Sequence, residues 1–191
     1  MSVIKYVVLD LETTGLSPED DRILEIGAIA VTQDLTEVDR FELVVGYPRS
    51  PRLLDPFVVE MHIKNGLWAE TASVWPGLDE AEADKRLAGW LGALGLQPRS
   101  VILMGNSVHF DHGFLVARMP RTAQYLSHRV MDIGGLSRWL IDFGLPAQST
   151  PSMPHRSMAD CEIELGEARK LRALVRNETL SYPVDGNGSP L

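Results

Sequence analysis

Residues 6–16 have the sequence YVVLDLETTGL, an almost completely apolar run that ends in two carboxylates and a turn. A run of this kind is typical of a β-strand that is buried on both faces. Side chains alternate between the two faces of a strand, so Asp10 and Glu12 point to one face. Leu9 and Leu11 then point to the other. Two carboxylates held this close repel each other unless a cation lies between them, which favours a hard divalent metal ion.

A strand-end Asp-x-Glu pair is by itself a weak signal, because solvated acidic residues in loops are common. The chain contains a second such pair, Asp160 and Glu162, within a predicted helix. Residues two apart on a helix point about 200° away from each other, so these two side chains cannot share one ion. The metal-site interpretation of Asp10 and Glu12 therefore depends on further residues.

The rest of the chain alternates between strand-like and helix-like patterns. Three consecutive strands with short connections predict an antiparallel meander, and the later alternation of helices and strands predicts parallel strands. The fold class is therefore predicted to be α/β, a mixed sheet flanked by helices. The acidic run at residues 19–21 is predicted to be a solvated loop. Further strands are predicted at residues 23–31, 38–45, 101–104 and 129–131, helices at 78–94, 110–119, 133–143 and 157–175, and irregular helical structure at 55–69.

Composition places the chain among ordinary globular proteins, with 45% hydrophobic and 23% charged residues in a length of 191. No linker or repeat divides it, so residues 1–180 are predicted to form a single domain, followed by a disordered tail at residues 181–191. No apolar run approaches the roughly 20 residues of a membrane span, and no signal peptide is recognisable. Together with the single cysteine, these features predict a cytoplasmic protein without a membrane partner.

The formal net charge of −8 bears on the kind of nucleic acid that the chain can bind. Long nucleic acids are held mainly by many Lys and Arg contacts to phosphates, and an acidic chain offers no broad surface of that kind. A site that grips one or two phosphates through metal ions needs a local acidic cluster instead. The charge therefore favours a small or terminal substrate over a long duplex.

Three residues further along the chain are candidates to join Asp10 and Glu12 in one site. Asp111 stands at a predicted helix start after a strand end, where an ordinary N-cap is the simpler interpretation. His155 follows a Pro-containing loop, and Asp160 lies five residues later in the first turns of the last helix. A histidine with an ordinary pKa of about 6.5 can deprotonate a water molecule near neutral pH.

The last predicted helix has one apolar stripe, which includes Cys161. This cysteine is predicted to be an inert core residue. Glu162 and Glu164 are predicted to lie away from the stripe. His109 and His112 flank Asp111, and either can approach a substrate, although solvent-facing positions are the simpler interpretation.

In order and spacing, three parts of the chain resemble the three exonuclease motifs of the DEDDh superfamily. They are DLETTGL at residues 10–16, GNS at residues 105–107 followed by Asp111 and FL at 114–115, and His155 with Asp160. Within that superfamily the chain is similar to the oligoribonuclease family, through MH and NGL in residues 61–67 and HRVMD at residues 128–132. The resemblance covers roughly residues 5–175 and implies a ribonuclease H-like fold.

The resemblance also implies an activity, a metal-dependent 3′→5′ exoribonuclease that degrades short single-stranded RNA to mononucleotides. Its cofactors would be two divalent cations, Mg²⁺ or Mn²⁺, in a two-metal hydrolysis. By resemblance, Asp10, Glu12 and Asp160 hold one cation. Asp10 and Asp111 hold the other. His155 activates the water that attacks the 3′-terminal phosphodiester.

Five substrate contacts are implied in the same way. Leu16 resembles a wedge between the terminal bases, Phe57 a ring that stacks on a base, and His62 a substrate-facing histidine. For Phe57 an ordinary place in the core is an equal alternative. Ser107 and Arg129 match positions that clasp the 5′-phosphate of a dinucleotide, with the arginine supplied by a second copy of the chain in a homodimer.

The chain departs from the family pattern in the region of this phosphate clasp. Gly134 and Gly135 stand where the family tends to have hydroxyl side chains, and His128 stands where it usually has tyrosine. The backbone amides of Gly134 and Gly135 can still bind a phosphate at a helix N-terminus. Asp132, just before the helix, belongs to none of the three motifs and is predicted to be its N-cap.

Two other functions are compatible with the same residues. One is a proofreading-type DNA 3′→5′ exonuclease, which shares the three motifs. The other is a non-catalytic nucleic-acid-binding module on the same fold. The second alternative is disfavoured because all five catalytic positions are filled.

Overall fold

The structure, a computed structural model, describes residues 3–48, 54–144 and 153–177. Apolar, β-branched runs form the inner strands, whereas the two outer strands contain several polar residues. These strands are β1 (Ile4–Thr13), β2 (Ile23–Thr32), β3 (Glu37–Val44), β4 (Val101–Gly105) and β5 (Leu126–Asp132). The predicted tail at residues 181–191 lies outside the described residues, so the domain boundary stays a prediction.

The strands form one sheet in the order β3-β2-β1-β4-β5. β1, β2 and β3 are joined in antiparallel fashion, whereas β1 pairs with β4, and β4 with β5, in parallel. The predicted meander and parallel strands are both confirmed. Because parallel strands end at the same edge of a sheet, the end of β1, with Asp10 and Glu12, lies beside the end of β4.

Helices cover both faces of the sheet, and none of those described has the length and apolar character that crossing a membrane requires. The irregular stretch predicted at residues 55–69 becomes two helices, because Gly66 adopts a left-handed φ of 85° between them. Pro120 does not simply end a helix but begins a short one. The helices are α1 (Pro56–Lys64), α2 (Leu67–Val74), α3 (Glu80–Ala93), α4 (His109–Arg118), α5 (Pro120–Ala123), α6 (Ile133–Asp142) and α7 (Ser157–Asn177).

The alternation of side chains along β1 divides the core into two layers. Leu9 packs in one cluster with Phe114 of α4 and with residues of α3. Val8 packs in a second cluster with Cys161 of α7. Asp10 has the same parity as Val8 in the strand, so its side chain belongs to the face that α7 covers. This placement agrees with the predicted separation of carboxylates and leucines on β1.

Helix α7 begins in direct contact with the backbone of β2. A Cβ atom on Gly27 would lie 2.5 Å from the carbonyl carbon of Ser157 and 2.7 Å from the amide nitrogen of Met158. Neither atom belongs to a flexible side chain, so any side chain at position 27 would displace the start of the helix. The absence of a side chain at Gly27 therefore sets how closely α7 approaches the sheet.

We predict that Gly27→Ala lowers the free energy of unfolding by about 1–3 kcal/mol, because overpacking forces backbone shifts. Gly89 of α3 is the matched control, since a Cβ there meets nothing within 4 Å. Gly89→Ala should raise stability by roughly 0.5–1 kcal/mol, as expected of an exposed helix interior. Urea denaturation of both variants measures the difference. Equal effects of the two substitutions would show that α7 does not need this close approach.

Candidate active site

The two carboxylates of β1 lie at the end of the strand, opposite β2. Asp10 pairs in register with Gly27, and Glu12 pairs with Glu25. Glu12 is only 6% exposed, and Glu25 is completely buried. The sheet thus holds two acidic side chains, Glu12 and Glu25, on neighbouring strands in the interior.

Two helices bring the remaining predicted carboxylates to this place. Asp111 lies in the first turn of α4, and its Oδ1 accepts a hydrogen bond of 3.0 Å from the backbone amide of Leu11. It does not cap the helix, because the N-cap position belongs to Val108. The N-cap interpretation is therefore wrong. Asp160, in the first turn of α7, is 2% exposed and approaches from the other face.

His155 completes the cluster from just before α7. Ligand-type atoms of Glu12, His155 and Asp160 all lie within 4.8 Å of one another. The two carboxylates are buried, whereas the imidazole is exposed to solvent. The three motifs, which are far apart in the sequence, therefore meet in one place.

Burial and mutual repulsion raise the pKa values of these acidic groups. Burial is the main cause that raises the pKa of Asp10 to about 7, and the charge of Asp160 adds to it. Burial and then the charge of Asp10 raise the pKa of Glu12 to about 9. Burial also raises the pKa of Asp111 well above its ordinary value, and that of Asp160 in the same direction. Such groups resist being ionised together unless a cation joins them.

The carboxylates have oxygen atoms free to bind that cation. Oδ2 of Asp10 and Oδ1 of Asp160 are buried and have no hydrogen-bond partner among the described residues. Buried polar atoms are rarely left unsatisfied, and those that remain need a reason such as a missing ion. Hard oxygen ligands with this much negative charge suit a divalent cation such as Mg²⁺ or Mn²⁺. The residues present therefore fit the implied metal.

An open cleft of about 650 Å³ begins at this cluster, with Glu12 and His155 among its lining residues. Leu16 and Phe57, two of the predicted substrate contacts, also line it and are 82% and 73% exposed. An exposed ring cannot be a core residue, so that alternative for Phe57 is excluded. Phe110, which the sequence reasoning missed, is a further wall of the cleft and contacts the ring of Phe114.

The turn that carries Leu16 is fixed by Asp21. The Asp21 side chain accepts hydrogen bonds of 3.0 Å from the Thr14 hydroxyl and from the Ser17 amide. It is 7% exposed, so the prediction that the whole acidic run is solvated is wrong for this residue. A Cβ atom on Gly15 would lie 2.5 Å from the Asp21 carboxylate. The turn therefore needs glycine at position 15 to close around Asp21.

His62 does not face the cleft as a substrate contact. It is completely buried, and its Nε2 lies 3.1 Å from the carbonyl oxygen of Thr13 and 3.8 Å from Oε2 of Glu12. Burial lowers the pKa of His62, so the neutral ring can donate its Nε2 proton to Thr13. His62 therefore supports the end of β1 from beneath, and its predicted contact with substrate stays a prediction.

The residues of the predicted phosphate clasp lie apart from the cleft lining. Ser107 follows β4 in a left-handed conformation with φ of 51°, and Arg129 is exposed on the edge strand β5. Asp132 is the N-cap of α6, as predicted, and its Oδ1 accepts a hydrogen bond of 2.7 Å from the Gly135 amide. That amide is therefore already used within the chain. Gly134 lies beside Asn106, where a Cβ atom would be 3.2 Å from Oδ1.

Residues 7–167 match the model of a protein family described as exonuclease, of the RNase T type. The chain belongs to this exonuclease family. The oligoribonuclease of Nocardia farcinica is 29% identical over 180 residues, which are 90% of this chain and 81% of that protein. The oligoribonuclease of Streptomyces coelicolor is 30% identical over 179 residues, 90% and 86% of the two chains. The prediction of a 3′→5′ exonuclease related to oligoribonuclease is confirmed.

Solved structures of exonuclease I have the same fold as this exonuclease-family chain. A zinc-bound complex of the Escherichia coli enzyme with single-stranded DNA has a TM-score of 0.63 at 17% identity, with 90% of this chain and 41% of that chain covered. Exonuclease I of Methylocaldum szegediense has a TM-score of 0.66 at 20% identity, with the same coverage. The chain spans about two fifths of the length of these structures, and the likeness confirms the ribonuclease H-like fold.

Two buried acidic residues of this exonuclease-family chain were not found from the sequence as parts of the site. Glu164 is 2% exposed, so its predicted place away from the buried stripe is wrong. Its Oε1 accepts a hydrogen bond of 2.7 Å from the backbone amide of Asn106. Burial is the main cause that raises the pKa of Glu164 to about 9. A position four residues after Asp160 was the available signal, because such residues share a helix face. For Glu25 the signal was an acid inside the apolar run of β2.

His109, His112 and Cys161 do not belong to the group formed by Glu12, His155 and Asp160 among the described residues. His109 is exposed at the start of α4. His112 lines a separate surface cavity together with His128. Cys161 is completely buried, and burial raises the pKa of its thiol well above the ordinary value, which agrees with an unreactive side chain.

We predict that the metal-free protein becomes less stable as pH rises from about 4 to about 9. Asp10 and Glu12 bind protons more tightly in the folded chain than in the unfolded one. Their contribution is complete below their unfolded pKa values and is lost as pH rises through about 7 and about 9. Asp10→Asn should flatten this dependence, because it removes one charge and its repulsion on Glu12.

Urea midpoints between about pH 5 and 8 in the presence of a chelator measure this dependence. Asp142→Asn, at an exposed position of α6, serves as the control and should keep the wild-type slope. Added Mn²⁺ should stabilise the wild type more at the higher pH. An Asp10→Asn variant with an unchanged slope would show that these carboxylates do not repel each other in the folded protein.

Proposed function

We propose that the chain is a metal-dependent 3′→5′ exoribonuclease that degrades short single-stranded oligoribonucleotides to mononucleotides by two-metal hydrolysis. The observation that carries this proposal is the meeting of Glu12, His155 and Asp160 at the mouth of a cleft with exposed apolar walls. Carboxylates with unpaired buried oxygens lie next to surfaces on which bases can stack. Chemistry and substrate binding are thus adjacent.

The carboxylates divide into two groups of proposed ligands. Asp10, Glu12 and Asp160 would hold one cation. Asp10 and Asp111 would hold the second, with Asp10 as the bridge. When bound, the two cations would supply positive charge for the attacking and leaving oxygens of the phosphodiester. Burial, and then the charge of Asp160, raises the pKa of Asp10 to about 7 in the metal-free chain, and the cations would relieve the repulsive part of this effect.

His155 is proposed as the general base. Its ring is exposed, so it can reach a water molecule at the cleft, and it lies within 4.8 Å of ligand-type atoms of Glu12 and Asp160. The exposed position also lets the proton leave to solvent after each cycle.

Leu16 and Phe57 are the proposed contacts to the terminal bases. Stacking on an apolar or aromatic side chain is worth about 1–3 kcal/mol per base and does not distinguish sequences, which suits a scavenging enzyme. The cleft of about 650 Å³ is small, and the net charge of −8 gives no extended basic track. Both properties favour a substrate of a few nucleotides over a long strand.

Ser107 and Arg129 are proposed to bind the 5′-phosphate, with Arg129 supplied by a second copy of the chain. The support for this arrangement is that Arg129 lies exposed on β5, an outer strand of the sheet that the described residues form. A homodimer and a cytoplasmic location complete the proposal.

We predict that the wild type releases mononucleotides from 5′-labelled RNAs of about two to seven nucleotides faster than from long RNA or single-stranded DNA. The products are measured by gel electrophoresis with Mg²⁺ or Mn²⁺ present. Asp10→Ala should abolish release because it removes the bridging ligand, whereas Asp142→Ala, at an exposed site of α6, should retain it. A strong preference for long DNA would instead support the proofreading-type exonuclease. Activity that survives Asp10→Ala would contradict the proposed metal site.

We further predict that His155→Ala lowers kcat by about 10²–10⁴-fold, the usual contribution of a general base. Mn²⁺ affinity, measured by calorimetry, should stay within about twofold of wild type, because His155 is proposed as a base and not as a ligand. His109→Ala, at an exposed position on α4, is the control and should leave both quantities unchanged. A large loss of Mn²⁺ affinity in His155→Ala would show that the imidazole is a metal ligand.

A further inference from the structure

The backbone of His155 has a conformation that side chains rarely adopt. Its φ is +55°, in the left-handed region that favours glycine. The imidazole itself is exposed, yet it lies within 4.8 Å of ligand atoms of Glu12 and Asp160. An exposed ring on an uncommon backbone conformation needs a contact that keeps it in place.

That contact comes from Asn65, at the end of α1. Its side-chain Nδ2 donates a hydrogen bond of 2.5 Å to the carbonyl oxygen of His155. Its Oδ1 accepts a hydrogen bond of 3.1 Å from the Leu67 amide, at the start of α2. Because an amide has distinct donor and acceptor ends, the two contacts together fix which end faces His155.

The residue after His155 is held equally firmly. The Arg156 guanidinium contacts the buried Glu25 at 2.7 Å and Glu70 of α2 at 2.9 Å, and its Nη1 also donates to the carbonyl oxygen of Asn65 at 3.4 Å. Glu25 accepts a further hydrogen bond of 2.9 Å from the Ser157 amide. Contacts with Glu25 of β2 and with the α1–α2 connection therefore fix the position of the chain directly after His155.

We propose that Asn65 is a positioning residue that holds the carbonyl of His155 and thereby keeps the imidazole against Glu12 and Asp160. Arg156, held between Glu25 and Glu70, makes this hold rigid. The inference rests on the proposed role of His155 as the base. Asn65, Arg156, Glu25 and Glu70 are not among the proposed metal ligands or substrate contacts, so their effect on turnover passes through the orientation of the ring.

A purely structural role for Asn65 is the alternative, because the same side chain joins α1 to α2. Two variants separate the roles. Asn65→Ala removes both side-chain contacts. Asn65→Asp keeps an oxygen for the Leu67 amide but turns a carboxylate oxygen towards the His155 carbonyl, which replaces attraction by repulsion. Lys64→Ala is the control, since Lys64 is exposed beside Asn65 and pairs only with Glu60 among the described residues.

We predict that kcat on a short RNA decreases by about tenfold or more in Asn65→Ala and further in Asn65→Asp. KM and Mn²⁺ affinity should stay within about twofold of wild type, because Asn65 is neither a proposed metal ligand nor a proposed substrate contact. Thermal stability should rank the two variants the other way round. Asn65→Asp should be the more stable, because it keeps the contact with the Leu67 amide, but the less active. If kcat instead follows stability across the two variants, Asn65 is structural only and the proposal is wrong.

The imidazole of His155 provides a second measurement that does not require catalysis. Its ring carbon resonance in the metal-free protein can be assigned among the five histidines by comparison with His155→Ala. We expect this resonance to shift or broaden in both Asn65 variants and to remain unchanged in Lys64→Ala. An unchanged resonance in both variants would overturn the proposal. This measurement does not depend on RNA cleavage. It therefore distinguishes a failure of the proposed positioning of His155 by Asn65 from a failure of the proposed function.

Discussion

Repulsion among buried carboxylates is the constraint on which the rest of this structure depends. Asp10, Glu12, Asp111 and Asp160 come from one strand and two helices, and burial makes each of them harder to ionise. Burying several carboxylates together lowers stability, so a protein without a use for them would keep them apart or in solvent. Their convergence indicates that the interior is organised around a positive charge from outside the chain, and we expect the protein to be less stable without that charge.

The scaffold resists this repulsion through contacts on either side of the cluster. Parallel pairing places the ends of β1 and β4 at one edge, and the Leu11 amide binds Asp111 directly. On the opposite face, Gly27 lets α7 approach the sheet, and Arg156 binds Glu25 at the start of that helix. The acids at the end of the sheet thus have separate functions: Glu25 anchors a helix, while the others remain open for a metal ion.

The sequence was sufficient to predict the sheet, its direction changes and the principal acidic residues, because local periodicity and motif spacing report these directly. Residues whose role depends on contacts between distant segments were missed or misassigned. Asp21 was placed in solvent because nothing in its local sequence shows that Thr14 will bind it. Glu164 was placed away from the buried stripe, because its spacing from Asp160 indicates a shared helix face but not the contact with Asn106. His62 matched a motif, but the direction of its ring depends on how α1 packs beneath β1, which motif spacing does not encode.

The ion pair between Glu25 and Arg156 also limits how this chain can change over time. Glu25 is completely buried, so a chain that lost Arg156 first would keep an uncompensated charge in its interior, a change that is typically severe. A chain that lost Glu25 first would release the start of α7. Each single replacement is therefore costly, which disfavours a route that alters one position at a time. Related sequences should consequently keep or replace the two residues together. The two positions, which are 131 residues apart, should therefore covary.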